Sequence, residues 1–179
     1  DLYNQGHQRP CSDRVENLIF PLYRPSFLFY LVCTPCTPMF SSAEKRSLPE
    51  KLFERYCESS KNIQWFYKNG DKGIEYFSIV YTDNFGKQKS FYPDYIVETT
   101  DGKVWIIETK GGFTKCGDSE DIDKYTAKKF GVLKAYINKY NLLGGIVRQD
   151  KQSSELCICT DTYSDNIKSD SWKLLSDVL

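Results

Sequence analysis

The chain has 179 residues, 40% of them hydrophobic and 27% charged, with 24 basic against 24 acidic side chains. That length is enough for one domain with a real core, and the composition is ordinary for a globular protein. A formal net charge of +0 excludes a global basic field, so any contact with nucleic acid must come from a local patch.

Residues 1–45 read as an irregular segment with no assigned role. Pro10, Pro21, Pro25, Pro35 and Pro38 all fall there, and "CTPCTPMFSSAEK" is loop-like. The run "LIFPLYRPSFLFYLVC" is apolar but interrupted by Pro21, Arg24 and Pro25, which argues against a membrane span. Among the seven cysteines, only Cys33 and Cys36 have metal-ligand spacing. No second pair of that kind follows, and the single histidine, His7, is remote, so structural zinc is not expected. An odd cysteine count and the lack of a secretion signal point to a reducing, cytoplasmic setting. The chain opens on Asp1 rather than Met, which reads as a piece of something longer.

From residue 46 the pattern sharpens into one unit that runs to 179. In "SLPEKLFERYCESS", Ser47 is a candidate N-cap, Pro49 falls in the first turn and Glu50 stands at N3, a capping-box arrangement. Leu52, Phe53 and Tyr56 then share a helical face. "NIQWFYKNG" reads as a strand closed by Asn-Gly. "IEYFSIVYTDNFGKQKSFYPDYIVETTDGKVWIIETK" reads as three strands, with turns at "DNFGK" and "TDG". Residues 121–140 are expected to be helical, with Ile122, Phe130, Leu133, Ile137 and Tyr140 on one stripe. Two short strands follow at "GGIVRQ" and "ELCICT", then a last helix near "SDSWKLLSDVL". The sum is an α/β fold with a mixed central sheet flanked by helices.

The most apolar strand, "VWII", runs straight into Glu108 and Lys110. Burying a charge is costly unless it is paired or performs a task. The preceding strand "FYPDYIVE" joins it through "TTDG", and the loop length decides what Glu108 meets. A two-residue loop, Asp101-Gly102, sets Asp94 opposite Thr109. A three-residue loop, Thr100-Asp101-Gly102, sets Asp94 opposite Glu108, with Lys110 on the same face. In the second register two carboxylates converge. Their repulsion must be offset by a shared proton, by Lys110 or by a divalent ion such as Mg2+. The simpler alternative is a buried ion pair.

"YPDYIV…VWIIETKGG" resembles the catalytic signature of the PD-(D/E)xK nuclease superfamily, through Pro93-Asp94 and Glu108-Thr109-Lys110. The fuller series "WFYKN", "FSIVYTD", "FYPDYIV" and "DGKVWIIETKG" is similar to the C-terminal endonuclease domain of type III restriction enzyme Res subunits and related helicase-linked nucleases, over roughly residues 47–165. The resemblance implies a restriction-endonuclease-like core of order α-β-β-β-α-β. It implies Mg2+-dependent hydrolysis of DNA phosphodiesters, with Mn2+ as a substitute ion. It makes Asp94 and Glu108 metal ligands, and gives Thr109 a backbone carbonyl to offer the metal. Lys110 becomes the group that steadies the attacking water and the developing charge. Many members add a Glu from the first helix. Glu50 matches that role best and Glu54 less well, and capping its own helix is an equal alternative for Glu50.

The chain lacks the Gly-x-x-x-x-Gly-Lys-Ser/Thr loop of an ATPase. By the resemblance, a helicase/ATPase region or a methyltransferase subunit would come from a longer protein or complex; otherwise the nuclease stands alone. Cutting both strands with a single-site nuclease points to a homodimer or larger assembly. Lys124, Lys128 and Lys139, with Lys115, Lys129 and Lys134 nearby, offer phosphate contacts, Lys128 and Lys129 foremost; a solvated helix face is the alternative. Gly111 and Gly112 either admit DNA closely or only end the strand. Trp65, Tyr67 and Phe91 read as core. The competing functions are an endonuclease in defence, a nuclease in repair or in a mobile element, and a non-catalytic module of the same fold that binds nucleic acid or a protein.

Overall fold

The computed structural model describes residues 37–40, 46–74, 76–83, 85–111 and 125–179. Its elements, in chain order, are β1 (Thr37–Phe40), α1 (Leu48–Ser59), β2 (Ile63–Lys68), β3 (Ile79–Thr82), β4 (Gln88–Phe91), β5 (Tyr95–Thr99), β6 (Val104–Lys110), α2 (Thr126–Tyr140), β7 (Leu143–Gln149), β8 (Leu156–Cys159) and β9 (Trp172–Leu174), then a 3-10 turn at Leu175–Asp177. Among the described residues, seven strands make one sheet in the order β1-β2-β5-β6-β7-β8-β9, and β3 and β4 form a separate two-stranded sheet. The large sheet is mixed: β1 with β2 and β6 with β7 are parallel, and the remaining neighbours are antiparallel.

Alternation along β5 and β6 builds two cores. Tyr95, Val97, Trp105 and Ile107 pack with Phe53 and Cys57 of α1. Ile96 and Ile106, pointing the other way, pack with Leu133 and Ile137 of α2. The two helices therefore cover opposite faces of a sheet whose central strands are apolar on both sides. Each fully buried side chain of this kind contributes roughly 2 kcal/mol. A third cluster joins Phe130 of α2 to Ile146, Cys157, Cys159 and Trp172, so the two nearby cysteines share a face and serve as core.

Helix α1 begins as its sequence predicts. Pro49 lies in the first turn, and the Glu50 carboxylate accepts the Ser47 backbone N–H at 2.7 Å in a capping box. The three-residue loop is also present. Tyr95 pairs with Ile107 and Val97 with Trp105, Thr99 N–H bonds the Lys103 carbonyl, and Gly102 takes φ 79°. Few residues other than Gly accept that conformation, and it sets the register that aligns Asp94 with Glu108.

Three expectations change. "FYPDYIVE" is two strands, because the chain leaves β4 at Phe91 and rejoins a sheet only at Tyr95. Pro93 between them has no N–H for a ladder, and its carbonyl is taken by the Asn69 side chain at 2.9 Å. The C-terminal segment is strand and 3-10 turn instead of helix. Trp172 and Leu174 read equally as period two or period four over so short a run, and the open edge of β8 decides between them. Within the segment expected to be irregular, Thr37–Phe40 forms β1 on the edge of β2. Cys33, Cys36, His7, Gly112, Lys115, Ile122 and Lys124 lie outside the described residues.

Candidate functional site

Strand β6 carries the charges that opened the question. Glu108 and Lys110 share one face, and the Lys110 Nζ lies 2.8 Å from Glu108 Oε1. Glu108 is 5% exposed, and its second oxygen, Oε2, is buried without a hydrogen-bond partner. Leaving a buried polar atom unsatisfied costs roughly 1–3 kcal/mol, more when it is charged. Burial, and then the charge of Asp94, push the Glu108 carboxyl up to about 8, against the opposing pull of Lys110.

Asp94 lies just outside the β5 ladder, at the position aligned with Glu108. Its carboxylate reaches across the end of β6. The Oδ2 accepts from both the backbone N–H and the hydroxyl of Thr109, each at 2.7 Å. The Oδ1 faces the Lys68 Nζ at 3.5 Å. Burial nevertheless outweighs Lys68 and Thr109, and the Asp94 carboxyl is raised above its ordinary range. The register aligns Asp94 with Glu108 at one end of the hairpin, but the contacts of the Asp94 carboxylate are with Lys68 and with the N–H and hydroxyl of Thr109, whose side chain lies on the opposite face of β6 from Glu108.

Sequence reasoning passed over Lys68 and Asn69. Lys68 is 4% exposed. Its ammonium sits 2.9 Å from Glu50 Oε1 and 3.9 Å from Asp71 Oδ1, besides its contact with Asp94. Burial works to discharge Lys68, but Asp94 and Glu50 more than reverse that, so its pKa is raised and the ammonium is held. Asn69 is equally buried. Its amide donates to the carbonyls of Phe77 and Pro93, its Oδ1 accepts from Phe77 N–H, and its backbone N–H bonds the Asp94 carbonyl at 2.8 Å. Together they clamp the Pro93-Asp94 corner. The available signal was Lys68 itself: it stands two residues after Phe66, on the inward phase of β2.

Glu50 lies beside the cluster but is satisfied by Ser47 and Lys68. Burial opposes its charge, these bonds outweigh the penalty, and its pKa is lowered. Glu54 is bound by Arg46 at 2.9 Å and by the Tyr95 hydroxyl at 2.8 Å. Gly111 has a packing reason: a Cβ there would lie 2.3 Å from the Pro49 ring, so glycine lets the first turn of α1 seat against the end of β6. Lys129, on α2, is near enough for its charge to be felt at Glu108. The Lys128 Nζ lies over the Tyr81 ring, 5.7 Å from its centre. Lys139 is near Tyr140 in the same way, at 5.0 Å.

Among the described residues, no group of three or more His, Cys, Asp or Glu side chains is placed to share a metal ion. The carboxylates of Asp94 and Glu108 remain. This is a hard-oxygen set of the size Mg2+ accepts, because that ion keeps several of its own waters. The orphaned Glu108 Oε2 and the partly buried Asp94 carboxylate fit such an ion chemically. Among the described residues, no helix is long and apolar enough to cross a membrane. Searches of family models, curated proteins and solved structures gave no match to this chain.

Proposed function

We propose that this protein is a Mg2+-dependent DNA endonuclease with a restriction-endonuclease-like core, acting as the nuclease part of a type III restriction system. The observation that carries this reading is the buried, unpartnered Glu108 Oε2 beside Asp94 at one end of a rigid hairpin. The order α1, β2, the β3–β4 hairpin, β5, β6, α2, β7 accommodates the expected core and supports it further.

In this reading Asp94 and Glu108 hold the cation, with the Thr109 backbone carbonyl as a third donor. The bound ion supplies charge neutralisation for the phosphate and acidifies water. The chain's own residues set the stage. Thr109 fixes the Asp94 carboxylate through two hydrogen bonds. Lys68 keeps a positive charge behind Asp94, and Asn69 holds the corner that carries it. Lys110, a compact ammonium at the same end of the sheet, is suited to hold the attacking water and to face the charge that develops on phosphate. No described residue is a histidine; the ammonium paired with Glu108 is that of Lys110, at 2.8 Å.

Incubating supercoiled plasmid with the protein, with and without Mg2+, tests this directly. Nicked or linear product is expected only with the ion, and Asp94→Ala should abolish it. A protein that binds no divalent ion and leaves plasmid intact would instead be a non-catalytic module whose charges form a structural ion network. Cleavage with Mg2+ in a gene context of repair or transposition would keep the chemistry and change the setting.

A further inference from the structure

The β3–β4 hairpin stands apart from the main sheet and packs through Phe77, Ile79 and Phe91 against Leu133 and Ile137 of α2. Between the hairpin and the start of α2 runs a groove of about 800 Å³. Its lining includes three aromatic residues and three lysines. Tyr81, Phe85 and Tyr125 supply the rings, and Lys87, Lys89 and Lys128 supply the cations. In a chain with no net charge, three lysines against one acid among the described lining residues make a local positive excess.

Among the described residues of that lining the one acid is Asp83, and its carboxylate is turned onto its own loop. Asp83 Oδ1 accepts the backbone N–H of Phe85 at 2.9 Å and of Lys87 at 3.0 Å. Those bonds, followed by the charges of Lys89 and Lys128, hold its pKa below the ordinary carboxylate range. The same bonds define the turn that carries Phe85, which is 89% exposed. Tyr125 is 54% exposed. The exposed rings of Phe85 and Tyr125 line one groove together, and apolar surface gathered in one place marks an interaction site.

The geometry points to this groove as a binding site for an unpaired DNA strand, with bases stacked on Phe85, Tyr81 and Tyr125 and phosphates on the three lysines. Rings interleaved with cations suit single strands, because every base has a π-face and duplex stacking hides it. Lys128 faces Tyr81 in the groove, while its neighbour Lys129 acts electrostatically on Glu108. This inference rests on the nuclease reading for its purpose, and it adds the substrate form: DNA with an exposed single strand, such as a frayed end, flap or displaced strand.

Fluorescence anisotropy tests it in chelator, where no cleavage intervenes. The probes are a fluorescein-labelled oligo-dT of about 20 nucleotides, longer than one single-strand site, and a duplex of the same length. The oligo-dT is expected to bind more tightly than the duplex. Phe85→Ala should weaken oligo-dT binding roughly tenfold, by loss of one stacked base. Lys87→Ala with Lys89→Ala should lower the salt dependence of oligo-dT binding by about 0.7 per lysine. These residues are exposed, so the variants should fold, and circular dichroism checks that. Tighter duplex binding, equal losses on both probes, or no effect of Phe85→Ala would overturn the inference. Failure to bind any oligonucleotide would do so too, meaning that something else covers the groove. Plasmid cleavage with intact Phe85→Ala binding leaves the nuclease reading standing alone; strong oligo-dT binding without Mg2+-dependent cleavage does the reverse.

Discussion

One hairpin carries the same pair twice. At its closed end Asp101 and Lys103 stand two residues apart, and Lys103 Nζ lies 2.6 Å from Asp101 Oδ2. At its open end Glu108 and Lys110 stand two apart, and the ion pair measures 2.8 Å. Their chemistry is opposite. Asp101 and Lys103 are 52% and 62% exposed, and hydrogen bonds from Lys103 and Thr99 lower the Asp101 carboxyl to about 2. The side chains of Glu108 and Lys110 are 7% and 11% exposed, and burial followed by Asp94 raises Glu108 to about 8. Pairing is common to both ends; withdrawal from water is not. Where water solvates the acid, a lysine simply stabilises the anion. Where water is absent and a second acid is near, one lysine is insufficient, and the site retains an appetite for positive charge.

The largest test of this contrast is activity. Asp94→Ala, Glu108→Ala and Lys110→Ala should each lower Mg2+-dependent plasmid cleavage by at least about a hundredfold, while Asp101→Ala and Lys103→Ala leave it unchanged. Equal losses at the two ends would show that the hairpin matters only as scaffold. Next comes Lys68→Met, which removes the buried ammonium from Glu50 and Asp94. It should cost about 3 kcal/mol in urea unfolding, because an uncompensated carboxylate is left behind. Adding Glu50→Gln should recover part of the loss, and no recovery would mean that Lys68 acts mainly through packing.

The two acids should also respond to pH with opposite signs in chelated protein. Glu108 has its folded pKa raised, from 4.5 to about 8. Its contribution to stability is therefore complete below 4.5 and is lost as pH rises through 8. Asp101 has its folded pKa lowered, from 3.8 to about 2. Its contribution is present above 3.8 and is lost as pH falls through 2. Urea midpoints for wild type and Glu108→Gln across pH 5 to 9 check the first sign; parallel curves would refute it. The smallest effect belongs to Thr109→Val, which deletes one hydrogen bond to Asp94 at a cost of about 1.5 kcal/mol. Cleavage should drop about tenfold if that bond holds Asp94 to the productive geometry, and Thr109→Ser should restore it.

Much of this was legible in the chain. The capping box at Ser47 and Glu50 and the helical stripe of Phe130, Leu133 and Ile137 follow from local chemistry, which depends on residues within a few positions of each other; the three-residue loop was one of two registers that the same chemistry allowed. The alignment of Asp94 with Glu108 followed too, once a positive φ at Gly102 selected the three-residue loop. Local rules failed where a partner came from afar. Trp172–Leu174 joined a sheet edge that its own pattern could not reveal. Lys68 looked like the end of a strand until α1 brought Glu50 beside it and β5 brought Asp94.

The amino-acid order by itself placed Asp94, Glu108 and Lys110 at one end of an apolar hairpin and left two loop registers open, because strand alternation is a property of contiguous residues while the loop conformation is settled by the fold. Tertiary structure alone decided that Glu108 would be buried with an empty oxygen, that Lys68 would stand behind Asp94, and that Phe85 would face a lysine-lined groove. Burial and long-range charge depend on what packs against a residue, and no window along the chain contains that.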